Sequence, residues 1–211
     1  MIGFFNYTVI ATYVSLACSV FGITLAFGGY VRWAILCLML SGFLDAFDGR
    51  IARTRKNSTQ EEKCFGVQID SLCDLICFGA LPVSIGAALG ATNWFGVICM
   101  ILFVLAGVIR LGYFNVTEEM RQQTTTECRK FYEGFPITSS ALIVPLAVLC
   151  KAFLSDAVFP NFFAASLLLI AFLYVLKIKI PKFTLGGILV CAFAGAVEFI
   201  LISIMIYKHV L

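Results

Sequence analysis

Histidine and charge are what this sequence has least of. His209 is the only histidine, and none of the nine cysteines forms a C-x-x-C pair. The His and Cys sets that hold zinc are therefore missing, as are the Ser-His and Cys-His pairs that make a covalent nucleophile. Scattered through apolar runs, the cysteines read as small apolar side chains. Charged residues are 13% of the 211, against 61% hydrophobic, which excludes an ordinary soluble domain and fits a chain that crosses a bilayer several times. No Lys or Arg precedes the first apolar run, so the basic start of a signal peptide is lacking and that run is expected to be a retained membrane helix. The net charge is only +3, and no nucleic-acid partner is expected.

The expected architecture is an all-α polytopic membrane protein, a single domain over 1–211. A bilayer is crossed by about 20 apolar residues. Seven spans meet that need, with six to eight as the range: 7–27, 31–47 with its helix running on to Arg53, 65–88 with a kink at Pro82, 94–113, 135–153, 159–176 and 185–207. The polar connector 115–133 is the longest, and Asn115 stands where a helix is expected to end. Basic residues gather on the inner side of membranes. With 54–64 in the cytoplasm, twelve Lys and Arg fall on that side and only Arg32, Lys151 and Lys208 on the other. The protein is thus expected in the cell membrane, with its aspartates opening toward the cytoplasm.

Those aspartates are the organising feature. Asp45 and Asp48 are three apart and Asp70 and Asp74 four apart, so each pair shares one helix face. Both pairs sit where an apolar run meets the connector 54–64, and two antiparallel helices would bring them face to face. Four carboxylates so placed cannot all stay ionised without a cation, and oxygen ligands suit Mg²⁺, Mn²⁺ or Ca²⁺. Gly49 and Gly66 flank the pairs and let another group approach the backbone. Arg53 and Arg110 are suited to bidentate contacts with phosphate or carboxylate. Glu198, inside the last span, is expected to hydrogen-bond between helices.

Written out, the stretch is Asp45-x2-Asp48-Gly49-x2-Ala52-Arg53, a spacer, then Gly66-x3-Asp70-x3-Asp74. It resembles the signature of the CDP-alcohol phosphatidyltransferase family, with one departure: the family usually has eight residues between the arginine and the second glycine, and here 54–65 supplies twelve. Ile69-Asp70-Ser71 leading to Phe78-Gly79, then Arg110 to Asn115 and Phe131 to Pro136, are similar to segments of the serine-transferring members. The similarity covers roughly 44–136. It implies a membrane enzyme that moves a phosphatidyl group from CDP-diacylglycerol, or an archaeal CDP-lipid, to L-serine, releases CMP, and works as a homodimer among membrane lipids. It implies Mg²⁺ or Mn²⁺ held by Asp45, Asp48, Asp70 and Asp74, with substrate contacts at Gly49, Ala52, Arg53, Gly66, Arg110 and Asn115. It gives Asp74 the further role of general base, which neighbouring carboxylates favour.

Divalent ions there would bridge pyrophosphate oxygens and offset charge on the leaving phosphate. Two other readings stay open. Within the family, the acceptor could be glycerol 3-phosphate or inositol phosphate. Outside it, membrane-edge acids could carry cations through a transporter.

Overall fold

The structure, a computed structural model, describes Gly3 and residues 9–52, 59–124, 131–181 and 185–207. Of these, 48–52, 122–124, 131–132, 179–181, 185–186, 188–189 and 205–207 are described by backbone alone. The helices are α1 (Ile10–Phe27), α2 (Val31–Ala52), α3 (Gln60–Leu75), α4 (Leu81–Ala88), α5 (Trp94–Thr124), α6 (Ser140–Leu149), α7 (Phe159–Val175) and α8 (Leu185–Tyr207). Among the described residues, Ile10–Phe27, Gln60–Ala88 and Trp94–Arg121 are long and apolar enough to cross a membrane, and three shorter apolar helices accompany them. The protein is an all-helical membrane protein with one addition. Strands β1 (Phe131–Glu133) and β2 (Lys179–Pro181) pair antiparallel, Phe131 opposite Pro181 and Glu133 opposite Lys179. Three residues are too few to show strand alternation in a sequence. Gly134 closes the ribbon at φ +84, where its N–H donates to the Ile178 carbonyl at 2.8 Å.

Helix ends depart from expectation in two places. The third helix starts at Gln60, not Phe65, because Thr59 makes a capping box: its hydroxyl accepts from Glu62 N–H at 3.2 Å and its own N–H donates to Glu62 Oε2 at 3.0 Å. The fifth helix runs to Thr124, so Asn115 lies inside it and ends nothing. Loss of hydrophobicity marks where a helix leaves the lipid, not where it stops. Residues 116–123 include good helix formers, and Arg121 pairs with Glu118 one turn back at 2.6 Å.

Between α3 and α4 the chain makes a π turn, Ile76–Ala80, one turn ahead of Pro82. Proline has no N–H for the carbonyl four residues earlier, which is that of Phe78. Ser140, at the start of α6, donates to that carbonyl at 3.3 Å. The irregular turn is thereby stitched to the helix that faces it.

Packing sets the position of α2, which carries the first aspartates. α1 turns its small residues, including Ser15, Ser19 and Gly22, inward. Ser19 and Ser41 hydroxyls lie 2.7 Å apart, and Ser41 donates to the Ser15 carbonyl at 3.2 Å. In a bilayer, close approach of small residues and interhelical hydrogen bonds replace the hydrophobic drive as the source of helix association. On the other side of α2, a Cβ on Gly42 would collide with the Ala141 methyl of α6. Gly42→Val is therefore expected to force α2 and α6 apart. Overpacking of this kind costs about 1–3 kcal/mol, which at this chain length is several degrees of melting temperature. Thermal unfolding of the detergent-solubilised protein measures it, and an unchanged midpoint would refute the close contact. Deeper in the bundle, Phe78, Phe103, Phe159 and Phe163 are fully buried, and the Phe103 and Tyr174 rings pack 5.7 Å apart between α5 and α7.

Candidate active site

Asp45 comes from α2, and Asp70 and Asp74 come from one face of α3. One carboxylate oxygen from each lies within 4.8 Å of the others, and all three residues are half-buried. The two sequence pairs thus meet as expected in these three members. Asp48, Gly49 and Ala52 continue along α2, but their side chains lie outside the described residues, and Arg53 lies outside them altogether. Gly66 sits one turn before Asp70 on α3, and an added Cβ there would meet nothing within 4 Å. Three hard, anionic oxygens converging at this spacing are a donor set that fits Mg²⁺ or Mn²⁺.

The carboxylates stand at one end of a groove of about 1470 Å³. From Asp45 the groove follows α2 past Phe43 and Leu40 to Trp33, with Leu142 of α6 and Phe199 of α8 opposite. Twelve residues of helix separate Asp45 from Trp33, about 18 Å at 1.5 Å per residue. One end is anionic and the rest is a long apolar trough.

Arg110 of α5 lines the same end. Its Nε donates to the Phe135 carbonyl at 3.0 Å, and its guanidinium lies 5.3 Å from the centre of the Phe114 ring. Arg110 is therefore built into the site's wall. The wall itself, 135–140, is held from several sides. Tyr174 of α7 donates to the Ile137 carbonyl at 2.9 Å, Ser139 to the Pro136 carbonyl at 2.6 Å, and Ser140 reaches Phe78. Thr138 and Ser139 face the groove beside the aspartates. Sequence reading passed over Thr138, Ser139 and Tyr174. The available signal was weak: polar groups just after Pro136, at the head of an otherwise apolar run.

Asn115 sits beside the carboxylate pair of α3, off the groove lining. Its Oδ1 accepts from the Ser71 hydroxyl at 2.7 Å, and its Nδ2 donates to Gln68 Oε1 at 3.2 Å. Glu133 accepts from the Tyr113 hydroxyl at 2.5 Å and lies 3.8 Å from Lys177 Nζ. Glu198 is buried in α8, and its Oε2 has no hydrogen-bond partner among the described residues, so the interhelical bond expected of it is not made through that oxygen.

Several named proteins are similar to this chain in sequence. It is 38% identical over 120 residues to the CDP-diacylglycerol–serine O-phosphatidyltransferase of Saccharomyces cerevisiae, covering 56% of this chain and 42% of that one. It is 31% identical over 155 residues to the protein of that name in Helicobacter pylori, covering 72% and 60%, and 30% identical over 155 residues to the one in Bacillus subtilis, covering 72% and 77%. The alignments thus span less than two thirds of the yeast and Helicobacter relatives and about three quarters of the Bacillus one. A sequence profile for CDP-alcohol phosphatidyltransferases matches residues 5–207, a range that takes in both helices bearing the aspartates, the wall at 135–140 and the whole groove. With that match running nearly end to end, the chain belongs to the CDP-alcohol phosphatidyltransferase family.

Proposed function

We propose that the protein transfers a phosphatidyl group from CDP-diacylglycerol, or an archaeal CDP-lipid, to the hydroxyl of L-serine, giving phosphatidylserine or its ether-lipid counterpart and CMP. The observation that carries the reading is the meeting of Asp45, Asp70 and Asp74 at the head of an apolar groove. A CDP-lipid has the matching shape, a charged pyrophosphate on long apolar chains. Similarity to three serine O-phosphatidyltransferases supports serine as the acceptor.

In this scheme Asp45, Asp48, Asp70 and Asp74 hold Mg²⁺ or Mn²⁺, which when bound offsets the charge of the pyrophosphate and of the departing CMP. The groove takes the acyl chains and fixes the donor's depth. Contacts with the nucleotide of the donor are assigned to Gly49, Ala52, Arg53 and Gly66, on the match of these residues to the family signature. Arg110, with the Thr138 hydroxyl, receives the serine carboxylate and sets its side chain toward the donor. Asp74 accepts the hydroxyl proton as the serine oxygen bonds to the phosphatidyl phosphorus. The bond from that phosphorus to the CMP oxygen breaks, and CMP leaves with the electron pair. Direct transfer suits a site without a Ser-His or Cys-His nucleophile.

The chain forms a single seven-span domain in the cell membrane, its site facing the cytoplasm, and works as a homodimer. The twelve-to-three distribution of basic residues supports the orientation. An acceptor panel tests the function. Purified protein with CDP-diacylglycerol is expected to release CMP with serine and little with glycerol 3-phosphate or inositol phosphate. Preference for a phosphorylated alcohol would replace serine and keep the family chemistry, whereas no CMP release with any alcohol would overturn the reading.

A further inference from the structure

We propose that Asn115 is a positioning residue: by bonding Ser71 and Gln68 it fixes the rotation of α3 about its axis, and so the placement of Asp70 and Asp74. This rests on the metal and base roles given to those aspartates above.

Both ends of the Asn115 amide are spent on one helix. The Ser71 hydroxyl donates to Oδ1 at 2.7 Å, and Nδ2 donates to Gln68 at 3.2 Å, so the side chain spans one turn of α3 from α5. Ser71 directly follows Asp70, stands three residues before Asp74, and is 8% exposed. Elsewhere these helices approach through apolar groups: a Cβ on Gly107 of α5 would lie 3.8 Å from Leu75. Apolar contact sets the spacing of two helices but resists rotation weakly, because it has no direction. Hydrogen bonds do have direction, and in a membrane they hold helix pairs in register. A helix with its side chains is about 10–12 Å across. A rotation of about 10° therefore moves a carboxylate by roughly 1 Å, enough to cost on the order of 100-fold in rate. Mg²⁺, which demands near-ideal octahedral geometry, is the least forgiving of such a shift.

The test uses the full chain in detergent, with two readouts. Mn²⁺ affinity is measured by the loss of the free-ion electron paramagnetic resonance signal, without substrate. Steady-state CMP release gives kcat and the KM for serine and for CDP-diacylglycerol. Asn115→Ala and Ser71→Ala are each expected to weaken Mn²⁺ binding several-fold to about ten-fold and to lower kcat, with both KM values within two-fold. Ser71→Thr, which keeps the hydroxyl, is expected to bind Mn²⁺ like the parent. The double variant Ser71→Ala/Asn115→Ala is expected to be no worse than Asn115→Ala alone, because Ser71 acts through its bond to Asn115, which Asn115→Ala already removes. Unchanged Mn²⁺ affinity in both single variants would overturn the proposal. So would losses that add in the double variant, or a raised KM for either substrate at normal Mn²⁺ affinity, which would make Asn115 a substrate contact. If Asn115→Ala does not fold, the Ser71→Ala and Ser71→Thr pair decides by the same criteria. A parent protein that binds Mn²⁺ but ignores serine would remove the proposed acceptor and leave this result standing, while one that binds no Mn²⁺ would overturn both this proposal and the metal role.

Discussion

Asp74→Asn is expected to bind CDP-lipid normally and to remain inactive at every Mg²⁺ concentration, with turnover reduced about 10²–10⁴-fold, the range for loss of a general base. Asparagine keeps the shape and one carbonyl oxygen but loses the charge and the affinity for a proton. The same change at Asp45 or Asp70 removes one anionic oxygen from the cluster, and extra metal is expected to recover part of the rate. Donor affinity and turnover, each titrated with Mg²⁺ for all three variants, separate the roles. Rescue of Asp74→Asn by metal would make Asp74 a ligand only. The next carboxylate to consider as base, Glu133, is poorly placed for that work: it accepts from the Tyr113 hydroxyl, has Lys177 3.8 Å away and stands off the groove lining.

Chelation is expected to have the larger effect. Excess EDTA should bring CMP release to background, and Mg²⁺ or Mn²⁺ should restore it in full. The physical basis is the crowding of three carboxylate oxygens within 4.8 Å. At that spacing their mutual repulsion, and their repulsion of an anionic pyrophosphate, need a divalent counter-charge. Losing it costs every role the cluster has, whereas Asp74→Asn leaves the other carboxylates to hold the metal. Full activity in EDTA would remove the metal from the scheme and leave Arg53 to offset the charge of the pyrophosphate.

Much of the site was legible in the residue order. Carboxylates spaced three and four apart announce a shared helix face, and placing both pairs beside one polar connector announces that they meet. Asp45, Asp70 and Asp74 do so. Arg110 was legible as a cation at a membrane edge, but its bond to the Phe135 carbonyl was not, because the two lie 25 residues apart. Asn115 shows the limit most clearly. It opens a mostly polar stretch, which suggested the end of a helix, while its partners in space belong to another helix.

The residue order alone was enough to read a helical membrane protein and to bring Asp45, Asp70 and Asp74 into one acidic site. Both follow from local spacing and composition: 1.5 Å of rise per residue, a repeat of 3.6, and the cost of charge in lipid. Only the tertiary structure decided the rest. The ribbon between β1 and β2, the Ser15–Ser19–Ser41 brace, the stitching of Phe78 to Ser140, and the groove from Asp45 to Trp33 all join residues remote in the chain. Such pairings depend on which helix faces carry small or polar groups that can approach closely, and no window along the sequence contains both partners.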